Sequence, residues 1–147
     1  MAMAVNWYGK GLLACMKNDV DVETADLYMA LASSTYTPDL DAHDFFNDVT
    51  NELSAASGYP AGGIQIGTQA LSYDAASKKV LFDIGDVTFP FSGSKTWRYG
   101  PIYNKRGGAS SADELVALLD WGADQTASVP YLLTIDATGI LYLGPVH

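Results

Sequence analysis

From Asp26 onward the chain repeats one device: short segments of alternating character, each closed by Gly, Pro, Asp, Asn or Ser. A period of two puts successive side chains on opposite faces, which is strand geometry and not helix geometry. Leu27, Met29 and Leu31 alternate with Tyr28, Ala30 and Ala32. IQIGTQALSYD and KVLFDI flank the turn Asp74-Ala75-Ala76-Ser77 and read as a hairpin. Within it Val80, Phe82 and Ile84 share one side, Leu81 and Asp83 the other. DVTFPF is a further extended piece that Pro90 ends or confines to a sheet edge. KTWRYGPIYN places Trp97, Tyr99 and Tyr103 on one face and Arg98, Gly100 and Ile102 on the other. Leu115 to Trp121 alternates in the same way and reads as a strand. YLLTI and ILYL, around Asp136-Ala137-Thr138-Gly139, read as a closing hairpin whose Gly supplies the positive φ of a short loop.

Strand-sized segments joined by turn residues predict antiparallel sheets and not βαβ units. The expectation is a mainly β fold: an antiparallel two-sheet β-sandwich, jelly-roll or Ig-like, with one or two short helices. At 147 residues the chain has the length of one ordinary domain, and no linker or low-complexity run divides residues 1–147. Residues 1–18 contain VNWYGKGLLACMK and form an N-terminal arm or a short helix. Asp41 is the candidate cap of one helical turn in DAHDFF. SGYPAGG and KRGGASS are irregular, the second a flexible turn.

Charge narrows the partners. Eight Lys and Arg stand against seventeen Asp and Glu, for a formal net charge of -9. The cations are scattered in runs no longer than Lys78-Lys79 and Lys105-Arg106. Nucleic-acid affinity rests on a basic footprint, so nucleic acid is not an expected partner, nor is an anionic membrane. No stretch approaches the ~18 apolar residues of a membrane span. No basic region followed by an apolar run marks the N-terminus as a secretion signal. Cys15 is alone, so no internal disulfide and no cysteine-based zinc site forms within one chain.

Catalytic constellations fail on residue supply. The two histidines are His43, in a loop among carboxylates, and the terminal His147. GxSxG, GxxxxGK, GxGxxG, HExxH and CxxC are absent. Asp39, Asp41 and Asp44, like Asp19, Asp21 and Glu23, alternate as calcium ligands do, without the Gly and Glu spacing of an EF-hand. No catalytic residue, cofactor or metal ligand is therefore expected. Trp97, Tyr99, Tyr103 and Trp121 have the residue types of a sugar-stacking platform, and equally those of the inward face of a sandwich. Paired carboxylates for glycoside hydrolysis have no distinguishing local sequence.

A series of short pieces in fixed order carries a resemblance. These are SSTYTPD with Ser33, His43-Asp44-Phe45, Asp48-Val49-Thr50-Asn51-Glu52, GYPAGG, LSYD and DVTF. YGPIY, LDWG and TIDATGI follow. Across residues 8–143 the chain resembles a family of small structural proteins of tailed bacteriophages, head-decoration-like virion components. It departs from the family pattern at Lys105 to Asp113, where its Gly/Ser-rich turn is longer. The resemblance implies a non-enzymatic virion protein, made in the bacterial host cytoplasm, that decorates or cements a capsid by contact with capsid or other virion proteins. It implies a homo-oligomer as well, for which a trimer is one form, because symmetry multiplies weak contacts. A tail or tail-tip component is the nearest alternative, and a carbohydrate-binding β-sandwich module the alternative of another class. Large aromatic and aliphatic residues anchor interfaces, which makes Trp7, Tyr8, Leu12, Leu13, Tyr36 and Tyr59 the candidate interface residues. Their alternative role is to cap the protein's own core.

Overall fold

The computed structural model describes residues 3–135 and the backbone of residues 141–143. The fold is mainly β and antiparallel, with one α-helix among the described residues. β1 (Ala4–Trp7) leads into α1 (Gly9–Met16), and β2 (Leu27–Met29) and β3 (Ile64–Gln65) follow. Next come β4 (Gln69–Asp74), β5 (Lys79–Ile84), β6 (Val87–Phe89) and β7 (Lys95–Asn104). β8 (Leu115–Ala127), β9 (Tyr131–Leu133) and β10 (Leu141–Leu143) are the last of the described elements. Three sheets result, with strand orders β1-β8-β7-β2-β3, β10-β5-β4 and β6-β9. Among the described residues no helix is long and apolar enough to cross a membrane.

The five-stranded sheet carries the core on both faces. On one side Leu27, Met29, Trp97, Ile102 and Leu119 pack with Phe82 and Ile84 of the second sheet and Val87, Phe89 and Leu133 of the third. The larger sheet thus faces the two smaller ones across a shared apolar layer, and burial of such residues is worth roughly 1.5–3 kcal/mol each. On its other face Tyr99, Tyr103, Leu115 and Leu118 are covered by Tyr8, Tyr36, Leu40 and Phe46. Phe46 stacks on Tyr103 at 3.9 Å between ring centroids. The segment 33–51 is therefore a lid on the sheet, tied down by Phe46 N–H to the Asp113 carbonyl (2.8 Å) and Leu115 N–H to the Asp44 carbonyl (2.9 Å).

Local chemistry explains the elements that follow expectation. The β4–β5 hairpin turns because Asp74 accepts the Ala76 and Ser77 N–H groups and Lys78 takes φ 57°. α1 ends at Lys17 because Asn18 takes φ 63°, the left-handed conformation that closes helices. In the SGYPAGG loop Gly63 has φ 82°, and a Cβ there would collide with the Met29 carbonyl oxygen. Only glycine lets this loop lie against β2.

Several sequence expectations are corrected. The N-terminal segment is no free arm: Ala4 to Trp7 pair with Asp120 to Ala117 of β8, and the short-helix reading of the next residues holds. β9 pairs with β6 and β10 with β5, so YLLTI and ILYL are not partners; the turn Asp136–Gly139 lies outside the described residues, as does His147. Trp97 does not share a face with Tyr99 and Tyr103. The β7–β8 register shifts between Trp97 and Tyr99, so Trp97 joins Ile102 in one cluster while the tyrosines enter the other. A second shift between Ile102 and Tyr103 likewise separates Leu115 from Ala117 and Leu119. Asp39, not Asp41, closes the acidic turn, accepting the Asp41 and Ala42 N–H groups at 3.0 and 2.9 Å.

Candidate functional site

Of the exposed large apolar side chains among the described residues, Leu13, Val129 and Leu132 lie apart, and the other four gather in one region. Met16 is 71% exposed, Tyr73 66%, Leu71 42% and Val80 40%. Folding leaves such residues singly in water without consequence, but a contiguous group marks a contact surface. Met16, Leu71 and Val80 border one cleft of about 330 Å³. Tyr73 is the cross-strand partner of Val80 in the β4–β5 hairpin, which extends the apolar surface beyond the cleft rim.

Four segments build the cleft. β1 supplies Trp7, whose ring stacks on Phe82 of β5 at 5.9 Å. α1 supplies Leu12, Cys15 and Met16, which the helical repeat places on one side. The chain then turns back at Asn18 and follows the rim through bends and a turn closed by the Thr24 and Ala25 N–H groups on the Asp21 carbonyl (3.1 and 2.7 Å). Val20 and Val22 are buried at 2% and 4% exposure, whereas Asp19, Asp21 and Glu23 are exposed. Asp21 accepts the Glu23 N–H at 3.0 Å, and Glu23 accepts the Leu71 N–H at 3.0 Å, which fastens the rim to β4. Burial first, then the nearby Glu114 carboxylate, pushes the Cys15 thiol up to about 11, so it is an apolar wall at neutral pH and not a nucleophile. Trp7 Nε1 is buried against this wall with no hydrogen-bond partner among the described residues.

The candidate interface residues divide. Trp7 and Leu12 come together in the cleft. Leu13, half exposed, faces an adjoining polar groove with Lys10, Asp44, Arg106 and Glu114. Tyr8, Tyr36 and Tyr59 are corrected: they are buried at 0%, 1% and 2% exposure and serve the protein's own core. Tyr8 and Tyr36 share a hydroxyl–hydroxyl bond of 3.0 Å, and Tyr36 reaches His43 Nδ1 at 2.9 Å. His43 is accordingly half-buried and stacked on Tyr36, not a solvated loop residue. Tyr59 donates to Glu52 at 2.8 Å and accepts the Leu31 N–H at 3.0 Å. Burial raises the hydroxyl pKa of all three tyrosines, which keeps them neutral hydrogen-bonding pegs.

The other candidate chemistries have less geometry behind them. Trp97, Tyr99, Tyr103 and Trp121 are all buried, so they present no stacking platform to a sugar. The Asp39 carboxylate is turned onto its own loop, and the Ala42 and then the Asp41 N–H hold it below the usual carboxylate range. Among the described residues no three His, Cys, Asp or Glu side chains gather as a metal site. Met16, Leu71 and Val80 escaped the sequence reading, although each occupies an alternating or helical position that the core leaves unfilled. No family model, curated protein or solved structure matches this chain.

Proposed function

We propose that this chain is a non-enzymatic structural subunit of a tailed-bacteriophage virion, decorating or cementing the capsid through protein contacts. The observation that carries the reading is the exposed apolar surface around the α1/β4–β5 cleft. The ordered resemblance of the sequence points the same way. Energetics favours attachment to a repeating lattice. Covering Met16, Leu71, Tyr73 and Val80, each already partly buried, gains roughly 1 kcal/mol apiece. Association costs about 4–15 kcal/mol in lost freedom, so one such contact holds a subunit weakly. Self-association of the subunit would make several weak contacts act as one strong attachment. The acidic net charge keeps free subunits apart before assembly.

The test is the composition of particles of the phage whose genome encodes the chain. Mass spectrometry of gradient-purified particles is expected to find it at a fixed stoichiometric ratio to the major capsid protein. Its absence from intact particles, with the chain abundant in the infected cell, refutes the reading. A ratio that tracks tails and not heads moves the site of attachment to the tail.

A further inference from the structure

We propose that the cleft between α1 and the β4–β5 hairpin receives a segment of another protein that presents two large apolar side chains beside lysine or arginine. The proposal rests on the virion reading and names the chemistry of the partner at this surface. Size sets the number of anchors. The cleft holds about 330 Å³, and a cavity of roughly 150 Å³ lined by such residues takes one benzene-sized group. Lining sets their character, since apart from Asn18 and Asp21 every wall residue is apolar or a protonated thiol.

Charge sets what flanks the anchors. Asp19, Asp21 and Glu23 are exposed along one rim. Of the cations near it, Lys17 follows the helix, Lys105 and Arg106 share a groove with Asp19 and Asp21, and Arg106 is engaged by Glu114 at 2.6 Å, so Asp21 and Glu23 carry the uncompensated charge at the cleft. Asp21 and Glu23 are held in place by the hydrogen bonds of the rim itself, so they are preorganised for an incoming cation. A second copy of this chain is the wrong occupant. It carries the same acidic rim and a net charge of -9, so two copies meeting here bring like charges together.

The experiment uses the full chain and a short synthetic peptide bearing Trp and Leu flanked by lysines. A twin with glutamates for the lysines, and a second twin with alanines for Trp and Leu, complete the set. Binding is read by fluorescence anisotropy. The lysine peptide is expected to bind at least about tenfold more tightly than either twin, with the margin over the glutamate twin shrinking as salt is added. Asp21→Asn with Glu23→Gln keeps both hydrogen-bond acceptors while removing the charges. It is expected to bring the lysine and glutamate peptides within about twofold of each other. Met16→Gln, at a mostly exposed position that folding tolerates, removes the apolar contact without adding charge and is expected to weaken the lysine peptide at least about tenfold. Equal binding of the lysine and glutamate peptides, equal binding of the alanine twin, or no binding of any peptide overturns the proposal. Particles separate its failure from that of the virion reading. A Met16→Gln chain that decorates particles as fully as wild type overturns the cleft assignment alone. A wild-type chain missing from particles overturns the reading beneath it.

Discussion

Gly11→Ala tests how the cleft wall is held. Gly11 is the one buried residue of α1, and a Cβ there would collide with the Leu115 carbonyl oxygen. The Leu115 carbonyl carbon and Val116 Cα would each lie 2.9 Å away. In an exposed helix the same change stabilises by about 1 kcal/mol, since alanine costs less backbone entropy. Here the obstacle is the backbone of β8, which pairs on one side with β1 and on the other with β7 and cannot turn aside as a side chain does. Overpacking costs about 1–3 kcal/mol, and more where the neighbour is rigid. The clash wins, and the expected net loss is about 2 kcal/mol, or a Tm roughly 4–8 °C lower for a chain of this size. Urea and thermal denaturation followed by circular dichroism measure it. Gly108→Ala is the control, because nothing lies within 4 Å of its Cβ position. It is expected to move stability by less than about 0.5 kcal/mol. A Gly11→Ala protein as stable as wild type, or more so, would refute the packing of α1 on β8. It would remove the wall that gives the cleft its shape.

Other outcomes follow from the same geometry. Glu52 Oε1 accepts both the Tyr59 hydroxyl (2.8 Å) and the Gly62 N–H (2.6 Å), so Glu52→Ala strands two donors and is expected to cost about 2 kcal/mol in a urea midpoint series. Glu52→Gln keeps the acceptor and is expected to recover more than half of that. Acid should destabilise the fold. Burial opposes ionisation of Asp120, but the Arg98 guanidinium at 3.0 Å and the Gly122 N–H outweigh it and hold its pKa below 3.8. Asp48 is lowered by the Asp44 N–H. For groups depressed on folding, the stabilisation is complete above the unfolded value of 3.8 and drains away as pH falls through the lower folded values. A denaturation midpoint that rises on acidification through that window contradicts these assignments, and Asp120→Asn should flatten the loss. Burial, then the Glu114 carboxylate, pushes the Cys15 thiol up from 9.0 to about 11. Its thiolate is then about a hundredfold scarcer at neutral pH, partly offset by higher nucleophilicity. Reaction with an aromatic disulfide is expected to be at least about tenfold slower than in the urea-unfolded chain, and equal rates would show the thiol to be open to solvent.

What was legible in the chain was what local chemistry decides. The β4–β5 hairpin was readable because alternation and the Asp74 turn lie within one short stretch. β8 was readable as a strand from the apolar run Leu115 to Trp121 among neighbouring strands, although its burial is nearly continuous and not alternating. Strand partners were not. YLLTI and ILYL carry the same local pattern as a hairpin, yet each finds its partner in a strand of the β5–β6 region. Nothing local separates these outcomes, because the choice depends on which pairing closes the core. The face of Trp97 was misread for a related reason: a register shift opposite Gly122 at φ 78° inverts the alternation, and its sole local sign is one glycine. Tyr8, Tyr36 and Tyr59 look like interface anchors because their residue type serves interfaces and cores alike. Their burial depends on the 33–51 segment folding over the five-stranded sheet and on the Glu52 anchor, contacts between residues far apart in the chain. The cleft was least legible, since Trp7, Met16 and Asp21 come from one stretch of chain and Leu71 and Val80 from a hairpin about fifty residues later.

The central claim is that the chain works by contact through its α1/β4–β5 face within a virion. Cryo-electron microscopy of the phage particle, with this chain located in the map, tests it most directly. The account predicts that Met16, Leu71 and Val80 lie under density of a neighbouring virion protein, with basic side chains of that neighbour beside Asp21 and Glu23. A map in which the chain is bound through its opposite side, leaving this face open to solvent, would contradict it.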